Sequence, residues 1–363
     1  RPLGCNPHGW PRRGGEGGPG TGLGQAGGMG RDIEYSLLPP AGRVLYTTIG
    51  GVCVLAALVA AGVAATIPSE ADLASIGSHA GIPSLVGSER LPVQSLVRPA
   101  DSGHLQSVFE TLDYDLKAVR SGGATVPRVY VTALPEDLSQ VAPTEKRKAL
   151  FLSSVLPLVL MANEELYELR ARIRALRERM REPGGPSEDD EAWLRRVSAR
   201  YSVSADQGID ELLRRVDAVP VSLALAQSIE ESGWGTSRFA RVGNALFGQR
   251  TWANRVAGVV PAGRDRDQTF RVRSYMNLMG AVRSYMHNLN THPAYASLRA
   301  ARARQRAAGQ PADGYALAET LLGYSERGEA YVAQLRGLMR VNGLAALERA
   351  RLSATAKARR VAG

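Results

Sequence analysis

Cysteine is nearly absent from this chain. Of its 363 residues only Cys5 and Cys53 carry a thiol, which excludes a disulfide scaffold and a Cys-ligated zinc centre. Histidine is scarce too: His8, His79, His104, His287 and His292 contain no H-x-x-x-H pair. No G-x-S-x-G elbow and no P-loop occurs, so neither a metal nor a nucleotide or other cofactor is expected. Aromatic residues make up 6%, and no basic block is interleaved with them as a nucleic-acid surface requires, so no nucleic-acid partner is expected. What is present is a globular balance, 44% apolar against 22% charged, with a formal net charge of +10. That balance excludes wholesale disorder, and the positive charge favours an anionic partner such as an acidic lipid surface or a wall polymer.

Residues 44–67 carry no charged side chain and consist largely of Val, Leu, Ile, Ala and Gly. At roughly 1.5 Å per residue they span a hydrocarbon core of about 30 Å. They also exceed the roughly 7–15 apolar residues of a cleaved signal peptide. Arg31 and Arg43 precede the segment; Glu70 and Asp72 follow it. The positive-inside bias therefore leaves residues 1–43, a Gly-rich tail, in the cytoplasm and sends the rest of the chain across. The exported part holds no thiol, as suits an oxidising compartment. Residues 68–100, rich in Ser, Gly and Pro, read as a linker.

From residue 101 the chain turns globular. Residues 105–120 predict an amphipathic helix, and residues 126–134 a short extended segment. Leu152, Val155, Val159, Ala162, Leu166, Leu169, Ile173, Leu176 and Met180 then repeat at spacings of three and four. This heptad stripe suits an arm helix packed on its own domain, or a coiled coil that makes a homodimer. Pro157 kinks that helix or marks its first turn, and Pro183-Gly-Gly-Pro186 ends it. Residues 188–218 predict two further helices broken near 202–204, so 101–200 form a helical N-terminal region. The Ala-, Arg- and Lys-rich residues 346–363 read as a solvated basic tail.

Pro220 opens, and Gly233 and Gly235 close, a helix whose body is small and apolar. Such a helix is buried, so two adjacent carboxylates at its C-terminal end, Glu230 and Glu231, need a reason. The helix dipole opposes ionisation there, and burial beside Trp234 opposes it further. Both effects raise a carboxyl pKa towards what a general acid needs near neutral pH. The bland alternative leaves both carboxylates in solvent or pairs them with Arg238 and Arg241.

Gln227-Ser-Ile-Glu-Glu-Ser-Gly-Trp-Gly235, then Ser237-Arg-Phe-Ala240 and Gly243-Asn-Ala-Leu-Phe-Gly248, resembles the signature of the bacterial glucosaminidases, glycoside hydrolase family 73, Bax-type branch. Val126–Leu138, Leu156–Glu165 and Tyr285–Tyr295 are similar to other stretches of that branch, and Leu322–Tyr331 to the closing Tyr motif of the wider family, so the likeness covers roughly residues 105–345. It implies a mainly α (α+β), lysozyme-like domain at 201–345 with a small β-hairpin lobe, preceded by the single transmembrane helix. The implied partner is the glycan strand of peptidoglycan, cut at the β-1,4 bond after N-acetylglucosamine. The implied place is the bacterial inner membrane, with the C-terminal domain in the periplasm. By the same resemblance Glu231 is the catalytic acid and Tyr324 the tyrosine near it. Trp234 and Phe247 shape the cleft and Asn244 orients its backbone; Glu230, Tyr275 and Tyr285 are further candidates for touching substrate.

Glycoside hydrolysis ordinarily takes two carboxylates. Residues 256–272 predict a β-hairpin with its turn at 261–267, where Asp265 and Asp267 could supply the second. Phe270-Arg271 stand where the branch has His-Glu. The substrate's own N-acetyl group could instead take that role. A lytic transglycosylase, which needs one acid and no water, and a non-catalytic wall-binding scaffold are the competing readings.

Overall fold

The computed structural model describes residues 95–264 and 268–354. The tail at 1–43, the anchor at 44–67, most of the linker, Asp265, Asp267 and residues 355–363 lie outside the described residues. The described part is mostly helical, as expected. In chain order it contains β1 (Ser95–Val97), α1 (Ser102–Thr111), α2 (Leu116–Ser121), β2 (Val129–Val131), α3 (Thr144–Arg179), α4 (Glu188–Arg200), α5 (Gly208–Arg215), α6 (Val221–Ser232) and α7 (Arg238–Gly243). There follow β3 (Arg250–Thr251), β4 (Gly258–Val259), β5 (Arg271–Arg273), α8 (Leu278–Thr291), α9 (Ala296–Ala307), α10 (Gly314–Leu317) and α11 (Glu329–Val341). β1 pairs in parallel with β2. β3, β5 and β4 form an antiparallel sheet in that order, with Gly258 opposite Arg273 and Val259 opposite Val272. This sheet is the small β lobe; the expected hairpin is its β4–β5 half.

The single helix expected over 105–120 is two. Asp113 adopts a left-handed φ of 50°, and the Asp115 side chain accepts from the Lys117 N–H to cap α2. α3 begins at Thr144 and continues as one helix past Pro157, which lacks the N–H for one rung of the ladder. It is long and apolar enough to cross a membrane, yet 83% of its apolar window is buried inside the protein. Its stripe from Leu152 to Leu176 lies in the core, while Met180 is exposed. The seam that a coiled-coil partner would need is filled from within the chain.

α6 packs against α3, α10, α11 and the 3-10 turn Leu344–Arg349. Val221, Leu223, Ala224, Leu225, Ala226 and Ile229 are all buried, and each larger side chain contributes about 1.5–3 kcal/mol relative to exposure. Its entry is held by polar contacts. The Asn163 amide of α3 donates to the Val219 carbonyl at 2.8 Å and accepts from the Val219 N–H at 3.0 Å. Buried Asp217 pairs with Arg306 and lies 3.8 Å from guanidinium nitrogens of Arg170 and Arg302.

Residues 346–352, expected to belong to a solvated basic tail, are part of the fold. Leu344–Arg349 form a 3-10 helix with Leu344 and Leu347 buried, and Leu352 bridges to Val126. Glu348 supplies what Pro220 cannot, a side-chain cap for α6. Its carboxylate accepts from the backbone N–H of Val221 at 3.0 Å and of Ser222 at 2.9 Å, and from the Ser222 hydroxyl. An anion suits a helix N-terminus. Glu348→Ala strips two buried backbone N–H groups and the Ser222 hydroxyl of their partner and is expected to cost about 1–3 kcal/mol. A lowered urea midpoint at unchanged slope would report it.

Candidate active site

The sequence Glu-Ser-Gly-Trp-Gly is a helix end with one task per residue. Three successive residues, Gly233, Trp234 and Gly235, take left-handed φ values of 57°, 60° and 75°. Ser232 ties the turn together: its hydroxyl donates to the Ser228 carbonyl at 2.5 Å and accepts from the Gly235 N–H at 2.9 Å. Gly235 lies so close to the core that a Cβ there would sit 2.4 Å from Leu134 Cδ1 and 2.9 Å from Phe151 Cδ2. The contacts of Trp234 are with α3. Phe151 meets its half-buried ring edge-on at 5.8 Å, and Lys148 Nζ lies 5.4 Å over its centre. The indole therefore fixes the turn against α3.

Glu231 leaves this turn half-buried. The Tyr331 hydroxyl donates to its Oε1 at 3.0 Å. Its Oε2 lies against Gly248, where a Cβ would come within 3.0 Å of that oxygen. Gly248 also has φ +59°, so both conformation and space call for glycine. Burial pushes the Glu231 carboxyl up to about 7. The Tyr331 hydrogen bond opposes that rise, the Glu230 charge adds to it, and the guanidinium groups of Arg327 and Arg250 counter it. Glu230 itself pairs with Arg327 at 2.5 Å, not with Arg238 or Arg241; Arg238 instead reaches the Val260 carbonyl.

Several expected positions move. Phe247 and Tyr285 stack at 3.9 Å, and each is only 1% exposed, so they are packed into the core and do not line a cleft. Tyr324 is buried as well; its hydroxyl donates to the Phe247 carbonyl at 3.3 Å, and its ring stacks on Tyr331 at 5.4 Å. The hydroxyl bonded to Glu231 is that of Tyr331, seven residues further along the same segment. Asn244 caps α7 in a left-handed conformation and donates to the Tyr275 carbonyl at 3.0 Å. The Tyr275 hydroxyl donates to Gln249 Oε1 at 2.5 Å and lies 3.1 Å from Ser284 Oγ. Asp265 and Asp267 lie outside the described residues.

Residues that the sequence did not single out complete the surroundings. Arg250 on β3 lies 4.1 Å over the Phe270 ring and is close enough to Glu231 for each to bias the other's charge. Trp252, two residues on, is 47% exposed, with its ring 6.2 Å from Phe270. Arg250 and Trp252 both lie beside the Phe270 ring. Gln227, one helical repeat before Glu231, is buried and bonded to both Tyr285 and Tyr331. The i, i+4 spacing of Gln227 and Glu231 was the one sequence signal for that last contact. Among the described residues no three His, Cys, Asp or Glu side chains converge as metal ligands would.

The family described as mannosyl-glycoprotein endo-beta-N-acetylglucosaminidase matches residues 207–344, from the start of α5 to just past α11. A relative, Protein bax of Escherichia coli (strain K12), is 32% identical over 205 residues, covering 55% of this chain and 71% of its own length. No solved structure matches. The matched region contains the acid helix, the β lobe and the tyrosine bonded to Glu231, and with that coverage of the relative the chain belongs to the glucosaminidase family, glycoside hydrolase family 73.

Proposed function

We propose that the protein is a peptidoglycan hydrolase that cleaves the β-1,4 bond after N-acetylglucosamine, with Glu231 as its general acid. The observation that carries this reading is the state of that carboxyl. Burial holds it near pKa 7, so it is substantially protonated at neutral pH, while the Tyr331 donor waits to stabilise the anion it becomes. Glu231 delivers its proton to the glycosidic oxygen as the C1–O bond breaks, and positive charge develops on the sugar ring. Water then attacks C1, helped by Asp265 or Asp267 or after the substrate's acetamido group has closed on that carbon. The exposed indole of Trp252 offers the flat apolar surface on which a sugar ring packs.

Digestion of purified peptidoglycan tests the reading. Reducing N-acetylglucosamine ends are expected. Anhydro-muramic ends would overturn the assignment in favour of a transglycosylase, and intact glycan would favour a wall-binding scaffold. Activity is expected to fall as pH rises through about 7, as the acid loses its proton. Residues 44–67 are proposed to hold this domain on the periplasmic face of the inner membrane. Protease digestion of the domain in spheroplasts, but not in intact cells, is the expected sign of that placement.

A further inference from the structure

Behind Glu231 a file of buried hydrogen bonds runs into the core. Tyr331 O–H donates to Glu231 Oε1 at 3.0 Å. Gln227 Nε2 donates to the Tyr331 oxygen at 3.0 Å. Tyr285 O–H donates to Gln227 Oε1 at 2.7 Å. Gln227 and Tyr331 are fully buried, and the Tyr285 ring is held by its stack on Phe247.

The direction of these bonds matters. A hydroxyl has one proton to give. Because the Gln227 amide donates to the Tyr331 oxygen, the proton of Tyr331 is left for Oε1. A protonated carboxyl has one carbonyl-like oxygen that accepts and one O–H that donates. With Oε1 accepting from Tyr331, the proton of Glu231 resides on Oε2, the oxygen against Gly248. Turning the amide over reverses the file. Gln227 Oε1 would then take the Tyr331 proton, and Glu231 would have to point its own proton inward at the tyrosine. That reversal also takes away the acceptor used by the buried Tyr285 proton, which is costly.

We propose that Gln227, oriented by the Tyr285 hydroxyl, is a positioning residue that keeps the transferable proton of Glu231 on Oε2. This rests on Glu231 being the acid. In the step itself the Oε2–H bond breaks, its proton goes to the glycosidic oxygen, and the C1–O electron pair leaves with that oxygen. The Tyr331 proton stays on the tyrosine and strengthens its bond to Oε1 as the charge forms. Gln227 never touches substrate.

The test is a titration of the Glu231 carboxyl carbon by NMR, in the wild type and in Gln227→Met, alongside the pH profile of kcat. In Gln227→Met the tyrosine can accept as well as donate, so the neutral acid gains a second arrangement and the anion a weaker donor. The Glu231 midpoint and the basic limb of kcat are expected to move up together by about 0.5–1 pH unit, with kcat about tenfold lower. Tyr285→Phe removes only the orienting hydroxyl and is expected to give a smaller shift in the same direction; it keeps the test open should Gln227→Met fail to fold. A merely structural role would lower kcat with the midpoint unmoved, and an unmoved midpoint in both variants overturns the proposal. Full activity in Glu231→Gln would defeat the assignment of the acid instead, and the NMR midpoints would still report on the file.

Discussion

Glu231→Gln is expected to lower the rate of wall hydrolysis by about 10²–10⁴, the contribution of a positioned general acid, while making the folded protein more stable at alkaline pH. The two effects have one origin. The amide fills the same space and can still accept from Tyr331 through its oxygen, so the packing against Gly248 survives, but it has no proton to transfer. The carboxyl, in contrast, is held well above its ordinary range by burial. A group whose pKa is raised by folding gives its full stability below its unfolded value and loses it as pH climbs through the folded value. Here the window runs from 4.5 to about 7. Above it the wild type carries a half-buried charge that the glutamine variant does not. Because the side chain is not wholly out of water, and Tyr331, Arg327 and Arg250 compensate it, the gain in Glu231→Gln at pH 8 is on the order of 1–3 kcal/mol. Thermal melts of both proteins at pH 4 and pH 8 check the sign: the curves should converge in acid and separate in base. A variant that is inactive and less stable at pH 8 would mean that the loss of activity reflects damage to the fold.

Gly235→Ala is expected to be the most damaging single change in the signature, at about 2–5 kcal/mol. The added methyl meets Leu134 and Phe151 at 2.4 and 2.9 Å, well inside contact distance, and the core on that side is already filled. The backbone there is left-handed at φ +75°, which adds strain for any residue with a Cβ. Equilibrium urea unfolding measures the loss. Gly233→Ala offers the comparison, because it shares the left-handed φ while its Cβ meets nothing closer than Thr236 Oγ1 at 3.5 Å. It should cost the strain without the overpacking. Equal losses would show that packing around Gly235 is looser than these distances imply.

Much of the site was legible in local chemistry. The apolar body of α6, its glycine-closed end and the awkward carboxylate pair are all properties of one short stretch, and they pointed to Glu230 and Glu231 together before any packing was known; the choice of Glu231 came from the family resemblance. The β4–β5 hairpin was legible for the same reason. What was not legible depends on which distant segment arrives at a given side chain. Tyr324 and Tyr331 lie on the same stretch, and the sequence offers nothing to decide which hydroxyl faces the acid. The structure decides it because α11 begins at Glu329 and turns Tyr331 towards α6. Phe247 and Tyr285 carry the same apolar signal whether they line a cleft or fill a core; only their mutual stacking distinguishes the two. Residues 346–354 misled because their composition is basic, whereas they join the fold through the acidic Glu348 and through Leu347 and Leu352.

Glu348 has a consequence for the order of events in the cell. The helix that ends in the acid begins at a carboxylate that emerges from the ribosome more than a hundred residues later. Until that late segment has been made, the two N–H groups it satisfies have no such acceptor, and the helix start is left uncapped. Completion of the fold is thereby tied to completion of synthesis, and a chain halted short of it would lack the carboxylate that caps α6.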